Sequence, residues 1–446
     1  MDLVRLAKKH SSLLLPIGIA LVAILLFVPA LLAGRALRSQ MQESVSMGNQ
    51  IGSLVRNTVP TTQYKAEQAY QREHADDANA VIALAQQTSE RELLVYGMFP
   101  EPNETSSAIF LNFGKVYRKA IEDFVGSLRA QDCPTDAEIT EVTRSGAADA
   151  AGRYGQDSAA SGRNEAIIER LCKDRSQSIP IYASPVIFSG YNFWDNYNYV
   201  GRDEAIEDCW KTQIAYWIQK DVVDTIAAMN KDSSSVSKSP IKRLVSIGFS
   251  VASTGYTTGR SDSYGMADMP RYVLSATDGI LTIPWTGRIS NDDIDVVHFA
   301  FSAIVSSKDV GRFMKELCSQ KTHVFKGWSG QEQPQQFVHN QITILKSTAE
   351  PVSRPTTTGA TAMGVTADKY RYGDDATVQL SLVCEYVFDK TGYAKVKPKT
   401  IAEKQASTEA SGTAPAPSST SPSSNRRSTR GGPGIPPQPA AGGNEP

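Results

Sequence analysis

Residues 11–34 carry no formal charge, and Leu13 to Ala33 reads LLLPIGIALVAILLFVPALLA. An α-helix needs about 20 apolar residues to cross roughly 30 Å of hydrocarbon, so this run predicts a single transmembrane helix over 13–34. A cleavable leader would have a shorter apolar region, of about 7 to 15 residues, closed by a small-residue cleavage site; this stretch presents neither. Pro16 and Pro29 are compatible with a membrane helix, which tolerates proline better than a soluble one. Arg5, Lys8 and Lys9 precede the run and Arg35 and Arg38 follow it. The positive-inside rule therefore leaves residues 1–12 in the cytoplasm, and the body of the chain is expected outside it, in the periplasm of a bacterial inner membrane.

The composition of the whole chain is that of a folded protein, with 41% hydrophobic and 21% charged residues. The 46 Lys and Arg against 47 Asp and Glu give a net charge of -1, which removes the electrostatic case for a nucleic-acid partner. The 5 cysteines are an odd number. Cys133 and Cys172 bracket a stretch rich in Gly, Ala, Ser and charge, and are the candidate disulfide for an oxidising compartment. Cys209, Cys318 and Cys384 sit in apolar patterns and read as small buried hydrophobes.

Beyond the membrane run, Leu37, Met41, Val45, Ile51, Leu54 and Val55 recur at loosely helical intervals. Pro60 interrupts them, and a second helical run extends from Gln63 to Tyr96, so 35–96 is expected to be a helical stalk or coiled coil. Residues 97–202 read as a helical segment carrying two irregular parts. Ile109, Phe113, Tyr117, Ile121 and Phe124 mark a helix within Ser106 to Ala130, Thr135 to Glu165 looks like a mobile insertion, and Ile179 to Tyr199 is an aromatic loop. Tyr191, Phe193, Trp194 and Tyr197 in that loop are candidates either for ligand binding or for packing, with packing favoured.

Residues 203–400 carry the most regular pattern. Asp203 to Asn230 is a long helix with Ile206, Trp210, Ile214 and Trp217 on its apolar side, Ile241 to Ser253 alternates as a strand, and Val296 to Val305 is the next strand. Val310, Phe313 and Leu317 form one face of a short helix. Gln341 to Thr348 and Thr377 to Phe388 are two more strands. The order helix, strand, strand, repeated, predicts an α+β fold. Two αββ halves pair into one four-stranded antiparallel sheet with both helices on one face, a ferredoxin-like αββαββ domain. Ile206, Trp210, Trp217, Val310, Phe313 and Leu317 are its expected core. Residues 405–446 are Ser, Pro, Gly and Ala with little apolar surface to bury, and a disordered tail is expected there.

No HExxH, GxSxG, GxxxxGK[ST], CxxC or GxGxxG spacing occurs in the sequence. The chain is therefore read as a non-enzyme with no cofactor and no metal. Its 5 histidines, at positions 10, 74, 298, 323 and 339, stand in unlike contexts, and His298 alternates with apolar neighbours as a structural imidazole would. Asp292, Asp293 and Asp295 read as a solvated turn.

With these elements in order, the chain resembles the PilO-like inner-membrane alignment proteins of type IV pilus machines and their type II secretion counterparts. A more specific likeness is to the Akkermansia-type pilus-like relative. It is carried by the strand from Val296 followed by S-S-K-D-V-x-x-F-M-x-x-L ending at Leu317, by Gln341-Ile342-Thr343-Ile344, and by Val378-Gln379-Leu380-Ser381-Leu382-Val383. The resemblance covers 1–60 by layout and about 205–390 by order of elements, leaving 97–204 without a counterpart. It implies a single-pass envelope scaffold that forms a homodimer, or a heterodimer with a PilN-like protein, and links the inner membrane to other pilus or secretion components. It supplies no catalytic residues. The other reading is a membrane-anchored binding module that uses the aromatic loop for a glycan or peptide.

Overall fold

The computed structural model describes residues 11–56, 60–103, 106–150, 157–250, 268–275, 286–352 and 369–411. The chain divides into two units, Met1–Ala83 and Leu84–Pro446.

In the first unit, helix α1 (Ser11–Arg56) runs through the apolar stretch and on into polar sequence. Helix α2 (Thr61–Ser89) starts immediately after Pro60, whose ring has no N–H to continue a helical ladder. Leu37, Met41, Val45 and Ile51 on α1, and Tyr64, Tyr70 and Val81 on α2, are exposed. Among the described residues no helix is long and apolar enough to cross a membrane. The run expected to do so lies in α1, and most of its side chains fall outside the described residues.

The helical run expected to reach Tyr96 stops at Ser89. The buried Ser89 hydroxyl accepts from the backbone of Asp389 at 2.8 Å and from Gln341 Nε2 at 3.1 Å. Those bonds fix the end of α2 within the second unit, and the chain continues from it as an irregular strap.

The second unit is α+β. Its sheet has the order β1-β2-β6-β5, with every neighbouring pair antiparallel: β1 is Ile241–Gly248, β2 Ile294–Ser306, β5 Ile342–Pro351 and β6 Thr377–Asp389. The central β2–β6 ladder runs unbroken from Ile294 opposite Asp389 to Ser306 opposite Thr377. Side chains alternate across a strand. Val297, Phe299, Phe301, Ala303 and Val305 of β2 therefore join Leu380, Leu382, Cys384, Tyr386 and Phe388 of β6 in one apolar core.

Helices α7 (Arg202–Met229) and α8 (Val310–Leu317) pack on that core. Trp217 lies 6.0 Å from Phe388 and Phe313 6.0 Å from Phe301, ring to ring. Ile206, Trp210, Trp217, Phe313 and Leu317 are buried, with Val310 partly buried against them. Helix α7 is buried on almost every side, because α3 (Ala108–Ser127) covers it from beyond with Phe110, Phe113, Tyr117, Ile121 and Phe124. A helix buried all round needs a second layer over it.

The structure departs from the expected pattern in four further places. The stretch expected to be a mobile insertion is helical over α4 (Asp136–Ala150) and α5 (Asp157–Ser178). A capping box starts α4: Thr135 Oγ1 accepts from the Glu138 N–H at 3.2 Å, and the Glu138 carboxylate accepts from the Thr135 N–H at 2.7 Å, two orphan donors satisfied reciprocally. Residues 405–411, expected to belong to a disordered tail, are helical: α9 runs over Lys399–Ser411 and buries Ile401 and Gln405, one turn apart; residues 412–446 lie outside those described. A hairpin of β3 (Lys321–Phe325) and β4 (Gln335–His339), unforeseen, is inserted between α8 and β5. β1 ends at Gly248, and 251–253, expected to extend it, lie outside the described residues. A short helix, α6 (Tyr191–Asp195), completes the set.

Candidate functional site

The aromatic loop lies along the outer edge of β1. Tyr182 donates its backbone N–H to Lys242 O and accepts from Leu244 N, both at 3.0 Å, and Ser189 N–H donates to Ile247 O at 3.1 Å. These form parallel bridges pairing Tyr182 with Arg243 and Phe188 with Ile247. They satisfy backbone groups that an edge strand otherwise leaves open. Gly190, at φ 87°, then turns the chain into α6.

The candidate aromatics of this loop face inward. Trp194 is buried, donates Nε1–H to Thr212 Oγ1 at 3.0 Å, and presses its ring onto Gly114 of α3, where a Cβ would lie 2.5 Å from Cε3. Tyr191 is buried and donates its hydroxyl to Glu122 at 2.9 Å. Phe193 and Tyr197 are partly buried, with ring centroids 5.2 and 4.4 Å from Trp194. The loop spends its rings on α3 and α7.

A buried ionic cluster, which the sequence did not single out, joins four separate elements. Asp221 of α7 receives Arg91 through two bonds, Nη2 to Oδ1 at 2.6 Å and Nη1 to Oδ2 at 2.9 Å. Oδ2 also accepts from the Tyr386 hydroxyl of β6 at 2.6 Å and lies 2.9 Å from His339 Nε2 of β4. Arg91 and Asp221 are 2% and 1% exposed. Burial works against the Asp221 charge, but Arg91 and His339 hold the carboxyl well below its usual range. Burial likewise opposes the Arg91 charge, and Asp221 outweighs it.

From His339 the chain of contacts continues. His339 Nδ1 is 2.9 Å from His323 Nδ1, and His323 Nε2 is 2.9 Å from the Glu90 carbonyl. The two histidines, read as unrelated in sequence, are thus brought together, and both termini of their chain are pure acceptors. Three contacts need three protons, and two neutral imidazoles carry two. A third proton would put a cation in a buried site beside Arg91. Burial and Arg91 accordingly depress His323 to about 4. Burial also lowers His339, against the pull of Asp221. The neutral dyad therefore leaves one contact without a proton, and the Asp221 end, facing a carboxylate, is the costliest place for it.

A second buried cluster sits at the end of β2. Asp295, read as part of a solvated turn, is fully buried: Lys397 Nζ lies 2.5 Å from its Oδ2, the Tyr393 hydroxyl donates to the same oxygen, and Gln405 Nε2 donates to Oδ1 at 3.1 Å. Beside it is a cavity of about 310 Å³ between α7, α9 and residues 270–274.

His298 is 3% exposed in β2, and among the described residues neither ring nitrogen has a hydrogen-bond partner; burial lowers its pKa, against the pull of Glu385. Cys133 and Cys172 are free thiols in this structure, and burial raises Cys172, with Cys133 among its electrostatic neighbours. Among the described residues no group of three or more His, Cys, Asp or Glu is placed to hold a metal.

The fold and its clusters define an α+β body whose most concentrated buried charge joins strap, helix, hairpin and sheet. Searches against protein-family models, curated proteins and solved structures found no match for the chain.

Proposed function

We propose that the chain is a non-catalytic envelope scaffold of the PilO-like kind, a component of a type IV pilus or type II secretion-like assembly. In this reading 13–34 cross the inner membrane once, the helices beyond form a stalk, and a ferredoxin-like domain stands in the periplasm, as a homodimer or with a PilN-like partner. The observation that carries the reading is the order helix, two strands, helix, two strands, interrupted by the β3–β4 hairpin, with β1, β2, β5 and β6 in one antiparallel sheet and the two helices against one core. The exposed apolar residues of α1 and α2 support a stalk that meets other chains. Ile19 and Val22, also exposed, suit a lipid-facing segment.

The buried clusters fit a load-bearing role better than a catalytic one. Each charged group in the Asp221 cluster is spent on another protein group, leaving no vacancy for a substrate atom. The test is isolation of the intact chain from native membranes under mild detergent, with identification of what accompanies it. Co-purifying pilus or secretion platform proteins are the expected result. Release of the chain by an alkaline carbonate wash, or its recovery without such partners, overturns the proposal.

A further inference from the structure

The two margins of the sheet differ. Backbone between Tyr182 and Ser189 bonds along β1, whereas β5 is the last strand on the opposite side. Lys346, Ser347, Ala349, Glu350 and Pro351 are exposed and Thr348 is half-buried. Successive side chains point to opposite faces of a sheet, so in its second half β5 is open on both faces.

Two hydrogen bonds settle which way each backbone group along that strand points. Val352 N–H donates to Thr377 O at 3.2 Å, one step beyond the pairing of Pro351 with Val378. Hydrogen-bonded pairs alternate with non-hydrogen-bonded ones along an antiparallel ladder. Lys346, Thr348 and Glu350 therefore turn their N–H and C=O toward β6, and Ser347 and Ala349 turn theirs outward. Val387 N–H donates to Gln341 O at 3.0 Å, which fits the same alternation once the extra residue of the bulge between Ile344 and Lys346 is counted. Among the described residues, Ser347 and Ala349 make no backbone bond on the outer side.

A bulge and a proline on an edge strand curb open-ended pairing. Here Leu345, left unpaired by the bulge, and Pro351 stand three places either side of Thr348. The regular stretch 346–350 between them is centred on Thr348, which suits a copy of itself better than an unrelated strand. Pro351 falls where its missing N–H faces outward, so β6 loses no bond and the outer ladder ends there.

We infer that β5 joins two copies of this chain, antiparallel, with Thr348 facing Thr348 of the second copy. In that register Ser347 N–H donates to Ala349 O of the second copy and Ala349 N–H donates to its Ser347 O, and the two-fold axis repeats both bonds. Every outward donor and acceptor of 346–350 is then satisfied. Lys346 stands opposite Glu350 of the second copy, so no like charges meet. Lys346 also has an interaction of its own within the chain, and the pairing needs only the backbone. The join involves the second unit alone and does not rest on the proposed scaffold role.

The test is cysteine cross-linking of the intact chain in its native cells with a membrane-permeant thiol oxidant, read by peptide mapping so that the native thiols are told apart. Thr348 occupies a non-hydrogen-bonded pair, where Cα atoms lie about 4.5 Å apart, within disulfide reach. Ser347 and Ser347 of the second copy are diagonal, about 7–8 Å apart, at or beyond that reach. Thr348→Cys is expected to give a dimer linked through position 348, and the more exposed Ser347→Cys no dimer. Adding Ala349→Pro to Thr348→Cys removes an outward N–H and should abolish the link, with the melting temperature unchanged because no bond to β6 is lost. Equal linking at 347 and 348, linking that survives Ala349→Pro, linking of Thr348→Cys to another protein, or none at all overturns the inference. A dimer linked at 348 in a chain that recovers no pilus or secretion partner upholds it while rejecting the scaffold role.

Discussion

Replacing Arg91 by Met tests whether the buried ionic cluster holds the second unit together. The substitution keeps length and apolar bulk, and removes both bonds to the Asp221 carboxylate, of 2.6 and 2.9 Å. Asp221 would then be a charge, 1% exposed, facing only the neutral donors Tyr386 and His339. Breaking one side of a buried pair costs about 3–5 kcal/mol, most of it for the charge left behind. In a folded body of this size each kcal/mol lowers the melting temperature by roughly 2 °C or slightly more, so a drop of about 6–10 °C is expected in thermal unfolding followed by tryptophan fluorescence, with Trp210 and Trp217 as core reporters.

The partner carboxylate supplies the second arm of the experiment. Asp221→Asn removes the charge but leaves Arg91 buried, and should be as damaging as Arg91→Met. The double variant leaves no unpaired ion, and its loss should be about 2–3 kcal/mol smaller than the sum of the single losses. In Arg91→Met, burial is no longer opposed by the guanidinium and the Asp221 carboxyl should rise, so the deficit should shrink as pH falls toward 5. A melt within about 1 °C of the parent, or a double variant whose loss is the plain sum, would show that the cluster carries no coupling and refute the argument.

Two further outcomes are set by the geometry. His323 titrates near 4 in the folded protein and near 6.5 unfolded, so between these values the unfolded chain binds more protons and stability declines as pH falls from about 6.5 toward 4; His323→Gln should flatten that limb of a pH series of melting temperatures, and an unchanged limb would assign it to other groups. Gly114→Ala in α3 places a Cβ 2.5 Å from the Trp194 ring and should cost about 1–3 kcal/mol by overpacking, whereas Gly126→Ala in the same helix, with nothing within 4 Å, should be neutral or stabilising by up to about 1 kcal/mol; equal effects in urea titrations would disprove the contact.

The four long strands and α7 are readable in the sequence because their apolar residues recur at the spacing of their own element. Val296 to Val305 is a nearly continuous apolar run, and it takes the central place beside β6, with both faces buried. The β3–β4 hairpin is not readable: KTHVF and QQFVH are short and mostly polar, and their burial comes from tertiary contacts. The histidine dyad hides for the same reason. His323 stands opposite Phe337 and His339 opposite Lys321, so the two imidazoles meet diagonally across a ladder that the sequence does not announce. Asp295 looks solvated because its partners, Lys397 and Gln405, lie more than a hundred positions away. Thr135-Asp136-Ala137-Glu138, by contrast, is a local start signal for α4 that is present in the sequence, masked by the Gly, Ala and Ser that dominate the stretch after it.

The strip of backbone from Tyr182 to Ser189 that lies against β1 also limits how copies of this protein can add to one another. A sheet with two unguarded margins can recruit strand after strand and grow into a fibre. One margin here is already occupied by the protein's own chain, so a strand from a second copy could add at that margin only by displacing these bonds.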